Sequence, residues 1–192
     1  MLWQMLSRRQ VLGALGMGCA AWASPRLAAA TMARAISLPE LVGLSQFVLV
    51  GAATDAYSRW ETVGKTRRIV TYVRLEVTQP IDGRPPPDTS LMVRTLGGRV
   101  GDIGQLVHGE ARFELGAASV VFVAPDTDGV LGITAMAQGH YPLHADAGDS
   151  LRLRASPSMP TLMRVDGSAV QRLVRRTVTE AEGLVSEIMH AP

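Results

Sequence analysis

The residue types that carry chemistry are few and thinly spread. His108, His140 and His144 are the natural candidates for holding a metal or moving a proton. His140 and His144 share the segment HYPLH, four positions apart. On a helix that spacing puts both imidazoles on one face, but Pro142 between them argues against a helix. On a strand the two stand roughly 13 Å apart, at ~3.3 Å per residue, too far to touch one ion directly. A metal centre built from His108, His140 and His144, with Asp146 or Asp149, therefore requires convergence through tertiary folding. Asp126-Thr127-Asp128-Gly129 opens like a calcium loop but lacks the later ligands and the terminal glutamate, so it reads as a turn. Gly64-Lys65-Thr66 has the ending of a phosphate-binding loop. The glycine required five positions before Gly64 is Arg59, and a strand-like run follows in place of a helix. There is no G-x-S-x-G elbow for a nucleophilic serine, and any Ser–His–Asp set drawn from this chain would be arbitrary. The residues favour a binding protein without a cofactor over an enzyme. The alternative is a metal-binding protein or enzyme using His108, His140 and His144.

The densest pattern is TLGGRVGDIGQLVHGE, residues 95–110, with glycine at 97, 98, 101, 104 and 109. The spacing of Gly98, Gly101 and Gly104 is not that of a dinucleotide loop, and no helical pattern follows. Glycines so placed mark a crossing where backbone approaches backbone or adopts positive φ. The same loop can also face a ligand or partner, through Gly97, Gly98, Arg99, Gly101, Asp102 and Gln105. Trp60, in the polar stretch Tyr57-Ser58-Arg59-Trp60-Glu61, is either an interface anchor beside that loop or a core plug.

The elements that must position these residues are mostly strands. Ser37-Leu38-Pro39-Glu40 is a capping-box pattern that predicts a short helix through about Leu44. Ser45–Ala53 is almost continuously apolar, a strand buried on both faces. Arg68–Thr78 alternates as a half-buried strand. Pro80–Asp88 must turn, and Leu91–Leu96 is again a strand. Ser119–Ala124 and Val130–Ala137 flank the DTDG turn as a hairpin, and Leu151–Ala155 is a further strand. Ser168 and Gln171 open an amphipathic pattern that predicts one long helix over 168–189. Short strands between Gly/Pro turns, with helices only at the two ends, predict a mainly β fold: a small antiparallel barrel or sandwich in one domain over 37–190.

Residues 1–30 stand apart. Ser7-Arg8-Arg9 precedes a Gly- and Ala-diluted apolar run from Val11 to Ala23, too short to span a bilayer at ~20 residues. Arg26 and the small residues Ala28-Ala29-Ala30 follow. The segment resembles a twin-arginine export signal, which implies a periplasmic or extracellular protein with no membrane span after cleavage. The sole cysteine, Cys19, lies inside it, with Gly16 where a lipoprotein signal prefers leucine. Three of the 19 basic residues (Arg8, Arg9, Arg26) are also there, leaving 16 against 17 acidic ones, a formal net of −1. That balance gives no overall excess to attract nucleic acid or anionic lipid, and without a further cysteine the domain must rest on its apolar core.

Val48–Gly51, Trp60, Ile69–Val77, Thr95–Gln105, Phe113–Gly116, Val120–Val123 and Gln138-Gly139 together form a pattern over about residues 38–145. It resembles that of uncharacterised exported bacterial β-domain proteins with a GG-x-V-x-x-IGQ loop. More loosely it is similar to netrin-like modules, small OB-type barrels flanked by helices. That second resemblance implies binding of proteins or ligands. Such modules carry disulfides, and this chain departs from them there. Together these features predict an exported, non-enzymatic binding domain that meets its partner, another exported protein, through loop 97–110.

Overall fold

Ser37 accepts a hydrogen bond from the Glu40 N–H and Pro39 sits in the first turn, so the helix α1, Leu38–Leu44, starts where the capping pattern places it. This computed structural model describes residues 32–191 except 83 and 147; the segment that resembles an export signal, with its arginine pair and Cys19, lies outside the described residues. The strands in chain order are β1 (Met32–Arg34), β2 (Phe47–Val63), β3 (Thr66–Pro80), β4 (Ser90–Leu96), β5 (Gly98–Val100), β6 (Ile103–Gln105), β7 (Ala118–Pro125), β8 (Leu131–Ile133), β9 (His140–Ala145), β10 (Leu151–Leu153) and β11 (Thr161–Met163). A single 3-10 turn covers Met136–Gly139. Two C-terminal helices follow, α2 (Ala169–Leu173) and α3 (Val178–Met189).

The molecule is mainly β. Seven strands form one sheet in the order β10-β9-β7-β2-β3-β4-β8. Its neighbours are antiparallel except β4 and β8, which run parallel through one registered pair, Arg94 with Gly132. β8 also pairs antiparallel with β7, so the pairings run in a ring through β7, β2, β3, β4 and β8. β2 and β3 are joined by the two-residue turn Gly64-Lys65, with Gly64 at φ 62. The DTDG segment is the hairpin turn the sequence predicts, with Gly129 at φ 80.

Strand alternation sends the buried residues to two sides. Leu49, Val73, Leu75, Val93, Val121 and Val123 form one cluster, drawn from the strands of the ring. Val48, Val50, Val120, Phe122 and Tyr141 form the other, against Leu38, Leu41, Leu173, Ala181 and Val185 of the helices. The apolar run of β2 is therefore buried on both faces, as its composition predicts. Both clusters are drawn from the described residues, and Thr31–Pro192 form one compact unit.

The expected single helix over 168–189 is corrected to two. Val174 leaves helical geometry and Arg175 takes φ 73. The backbone turns outward to the sheet, where the Arg175 N–H donates to Leu153 O and the Leu153 N–H donates to Arg176 O, both at 2.8 Å. Thr177 and Glu180 then form a complete capping box that starts α3. The second strand of the DTDG hairpin also ends early, at Ile133, because Ala135 and Met136 turn into left-handed conformations.

Candidate functional site

The glycine segment is a small hairpin laid across the β2–β3 arm. Gly97 (φ 93) and Gly98 (φ 131) lift the chain off β4, and Gly101 (φ 58) with Asp102 turns β5 into β6. A Cβ on Gly98 would collide with the hydroxyls of Ser58 and Thr71, and one on Gly97 would lie 2.7 Å from Gln105 O. Those contacts explain the paired glycines. The hairpin is then pinned: Thr71 Oγ1 donates to Gly97 O at 2.7 Å, Ser58 and Thr71 share a 2.8 Å hydroxyl bond, and the Ile69 N–H donates to Gln105 Oε1 at 2.8 Å. Of the predicted site residues, Gly97, Gly98 and Gln105 hold the hairpin in place. Arg99 and Asp102 stand in solvent, 4.0 Å apart.

Beneath the hairpin lies a cleft of about 570 Å³ lined mainly by apolar groups, among them Ala56, Val73, Leu106, Val107 and Phe113. Leu106 on its wall and Ile103 at the hairpin turn are 57% and 56% exposed. Trp60 is on the surface of the arm, 38% exposed, with the Arg67 guanidinium 5.4 Å from its ring centre. Its place is thus the surface rather than the core.

Two features are barely marked in the sequence. Arg94 is 3% exposed, yet its guanidinium donates to Glu61 (2.8 Å), Asp126 (3.0 Å) and Asp128 (2.6 Å). It ties β4 to the arm and to the DTDG turn, and so it occupies the carboxylates that a calcium reading would need. Burial alone would lower the Arg94 pKa, but the hydrogen bonds to Asp128 and Glu61 outweigh it and hold it above the ordinary value. Glu61 also accepts from Arg59 and from the Tyr72 hydroxyl at 2.9 Å. Burial works against the Glu61 charge, and these donors hold its pKa below the usual carboxylate value all the same.

Glu110 lines a second cavity of about 270 Å³ with Arg94, Asp126, Thr134 and Met136. Burial pushes its carboxyl up to about 7, against the pull of the Leu96 and Ala111 N–H groups. One wall is strained: Ala135 (φ 54) and Met136 (φ 59) are consecutive left-handed residues without a glycine. Their turn closes against Gly139, where any Cβ would strike Thr134 O. An Arg within the apolar strand LMVRTL and a Glu within an extended run are the only hints the sequence holds of this pocket.

The histidines do not assemble. His140 is 1% exposed, with Nδ1 3.0 Å from Ser156 Oγ and Nε2 3.1 Å from Ser119 Oγ. The Phe113 ring packs on it at 4.4 Å. Burial holds the imidazole at about 4, so it is neutral. Ser119, His140 and Ser156 form a chain of side-chain contacts that is buried throughout. His144 lies farther along β9 opposite Arg152, and His108 is exposed in the crossing segment. Among the described residues no three His, Cys, Asp or Glu side chains are grouped to hold an ion. Nor is any helix among them long and apolar enough to cross a membrane.

Comparison with protein-family models, with curated proteins and with solved structures finds no match.

Proposed function

We propose that this chain is an exported, non-catalytic binding domain whose partner, another exported protein, is met by the glycine hairpin and the cleft beneath it. The observation that carries this reading is the cleft itself. A pinned hairpin overhangs about 570 Å³ of mainly apolar space while Ile103 and Leu106 stay in water. A pinned hairpin has little order to lose on binding, and apolar groups already exposed gain from being covered. The occupant that fits is an extended segment with apolar side chains at alternate positions. Trp60 on the neighbouring arm extends the contact surface.

The ring order β2-β3-β4-β8-β7, antiparallel except for β4 with β8, supports an OB-type barrel of the netrin-like kind. The leader-like residues 1–30 support export by the twin-arginine route to the periplasm or beyond.

The test is a photo-crosslinking amino acid at position 106, introduced in the exporting cell. It is expected to trap one protein, which then binds the purified domain and loses that binding with Leu106→Asp. Crosslinks only to bulk protein, or unchanged affinity in the Asp variant, would remove the cleft from the interface.

A further inference from the structure

The formal charge of −1 outside the leader conceals a local imbalance at the end of the β2–β3 arm. β4 leaves the arm at Leu96, opposite Val70. Beyond that point only two strands continue, through the pairs Glu61–Arg68, Thr62–Arg67 and Val63–Thr66, to the Gly64-Lys65 turn. This narrow end carries Lys65, Arg67 and Arg68. None has a carboxylate within salt-bridge reach among the described residues. The one acidic side chain on the tip, Glu61, is already engaged by Arg59 and Arg94. Arg68 also keeps a shielded Nε donor with no partner among the described residues. Exposed Trp60 and half-exposed Val63 are the apolar groups of the same tip.

We propose that this tip docks on the surface of an anionic phospholipid bilayer. Charge is felt over about 8 Å at physiological salt, so an anionic surface meets three uncompensated cations rather than the balanced total. An indole stacked with Arg67, on an arm whose end carries Lys65, suits the headgroup layer, where the ring is half wetted and the cations reach phosphate. The shape favours a bilayer over a nucleic acid: a two-strand wedge can enter mobile headgroups, whereas tracking a rigid polyanion needs a broad basic groove. The tip shares Trp60 with the proposed partner contact, but none of its residues lines the cleft, so substitutions at Lys65 and Arg67 on one side and at Leu106 on the other separate the two.

Trp60 reports on the tip directly, because the other tryptophans, Trp3 and Trp22, lie in the leader. Residues 31–192, which hold the whole described fold, are titrated with vesicles of phosphatidylglycerol and phosphatidylcholine in equal parts, and with phosphatidylcholine alone. The expected result is a blue shift of Trp60 emission and co-sedimentation with the anionic vesicles only, both lost as salt rises from ~0.1 M towards ~1 M. Lys65→Gln with Arg67→Gln should weaken binding roughly 25-fold, about fivefold per charge, with an unchanged unfolding midpoint. Leu106→Asp should leave vesicle binding intact. No preference for phosphatidylglycerol, full binding by the double variant, or binding to heparin or DNA without binding to vesicles would overturn the proposal.

Discussion

Glu110→Gln is expected to stabilise the protein above neutrality and to leave it nearly unchanged in mild acid. The Glu110 carboxyl is 6% exposed, and its burial in the cavity with Asp126 lifts it from an ordinary 4.5 to about 7. A difference of that size corresponds to about 3 kcal/mol. Between those two values the native chain keeps a proton that the unfolded chain has released. Stability therefore falls as pH rises through the window and stays lower above it. His140 acts in the opposite sense. Burial holds it at about 4 against an ordinary 6.5, so on acidification the unfolded chain takes up a proton that the native chain refuses. Its contribution rises with pH from about 4 to 6.5. From 4.5 to 6.5 the two slopes oppose, and the parent protein should show a nearly flat profile there. Glutamine cannot ionise, so its variant should reveal the His140 slope as a steady rise, ending about 3 kcal/mol above the parent in mild alkali. Glu61, Asp128, Asp146 and Glu180 all have pKa values held below ordinary, so they add their own slope only as pH falls towards and below about 4. The assay is urea unfolding followed by circular dichroism at fixed ionic strength across this range. A glutamine variant with the parent's pH profile, or one less stable in mild alkali, would show that the Glu110 carboxyl is not raised by burial.

Other substitutions test the remaining features. Gly98→Ala should destabilise by roughly 1–3 kcal/mol, read as a lowered urea midpoint, because its Cβ must displace the Ser58 and Thr71 hydroxyls at positive φ. Arg94→Met should lower the urea midpoint, because Asp126 and Asp128 lose their shared cation and Glu61 keeps only Arg59 and Tyr72, and Glu61→Gln in the same chain should recover part of that loss. Trp60→Ala should change unfolding stability by no more than ~0.5 kcal/mol while weakening capture of the crosslinked partner; loss of fold would return Trp60 to the core.

Much of the fold could be read from local pattern. The Ser37 cap, the apolar run of β2, the alternation of β3 and the Asp128-Gly129 turn are short-range signals, and each appears as an element at its place. The break at Val174–Thr177 was also written locally, as Thr177-x-x-Glu180, but the apolar spacing runs through it without a gap. Only the sheet edge at Leu153 shows why the helix must open. The glycine run announced a backbone crossing, and Gly98 against Ser58 and Thr71 gives its reason. The pocket around Glu110 and the carboxylates around Arg94 were not legible. They join residues from β2, β4, the crossing segment and the β7–β8 turn, and burial and charge pairing are properties of the folded chain. The histidines show the converse: close spacing in HYPLH suggested chemistry, and folding separated them, placing His140 between two serines.

The opened backbone between α2 and α3 has a consequence for the nascent chain. β10 pairs with β9 on one side, and on the other its N–H and C=O groups are met by residues 175–177. Until those residues are made, the outermost strand presents unpaired backbone groups that a second chain could use as a template. Truncation before Val174 would therefore do more than remove α3. It would leave a sticky border on an otherwise intact sheet, and the expected product is an aggregate of near-native domains rather than an unfolded chain.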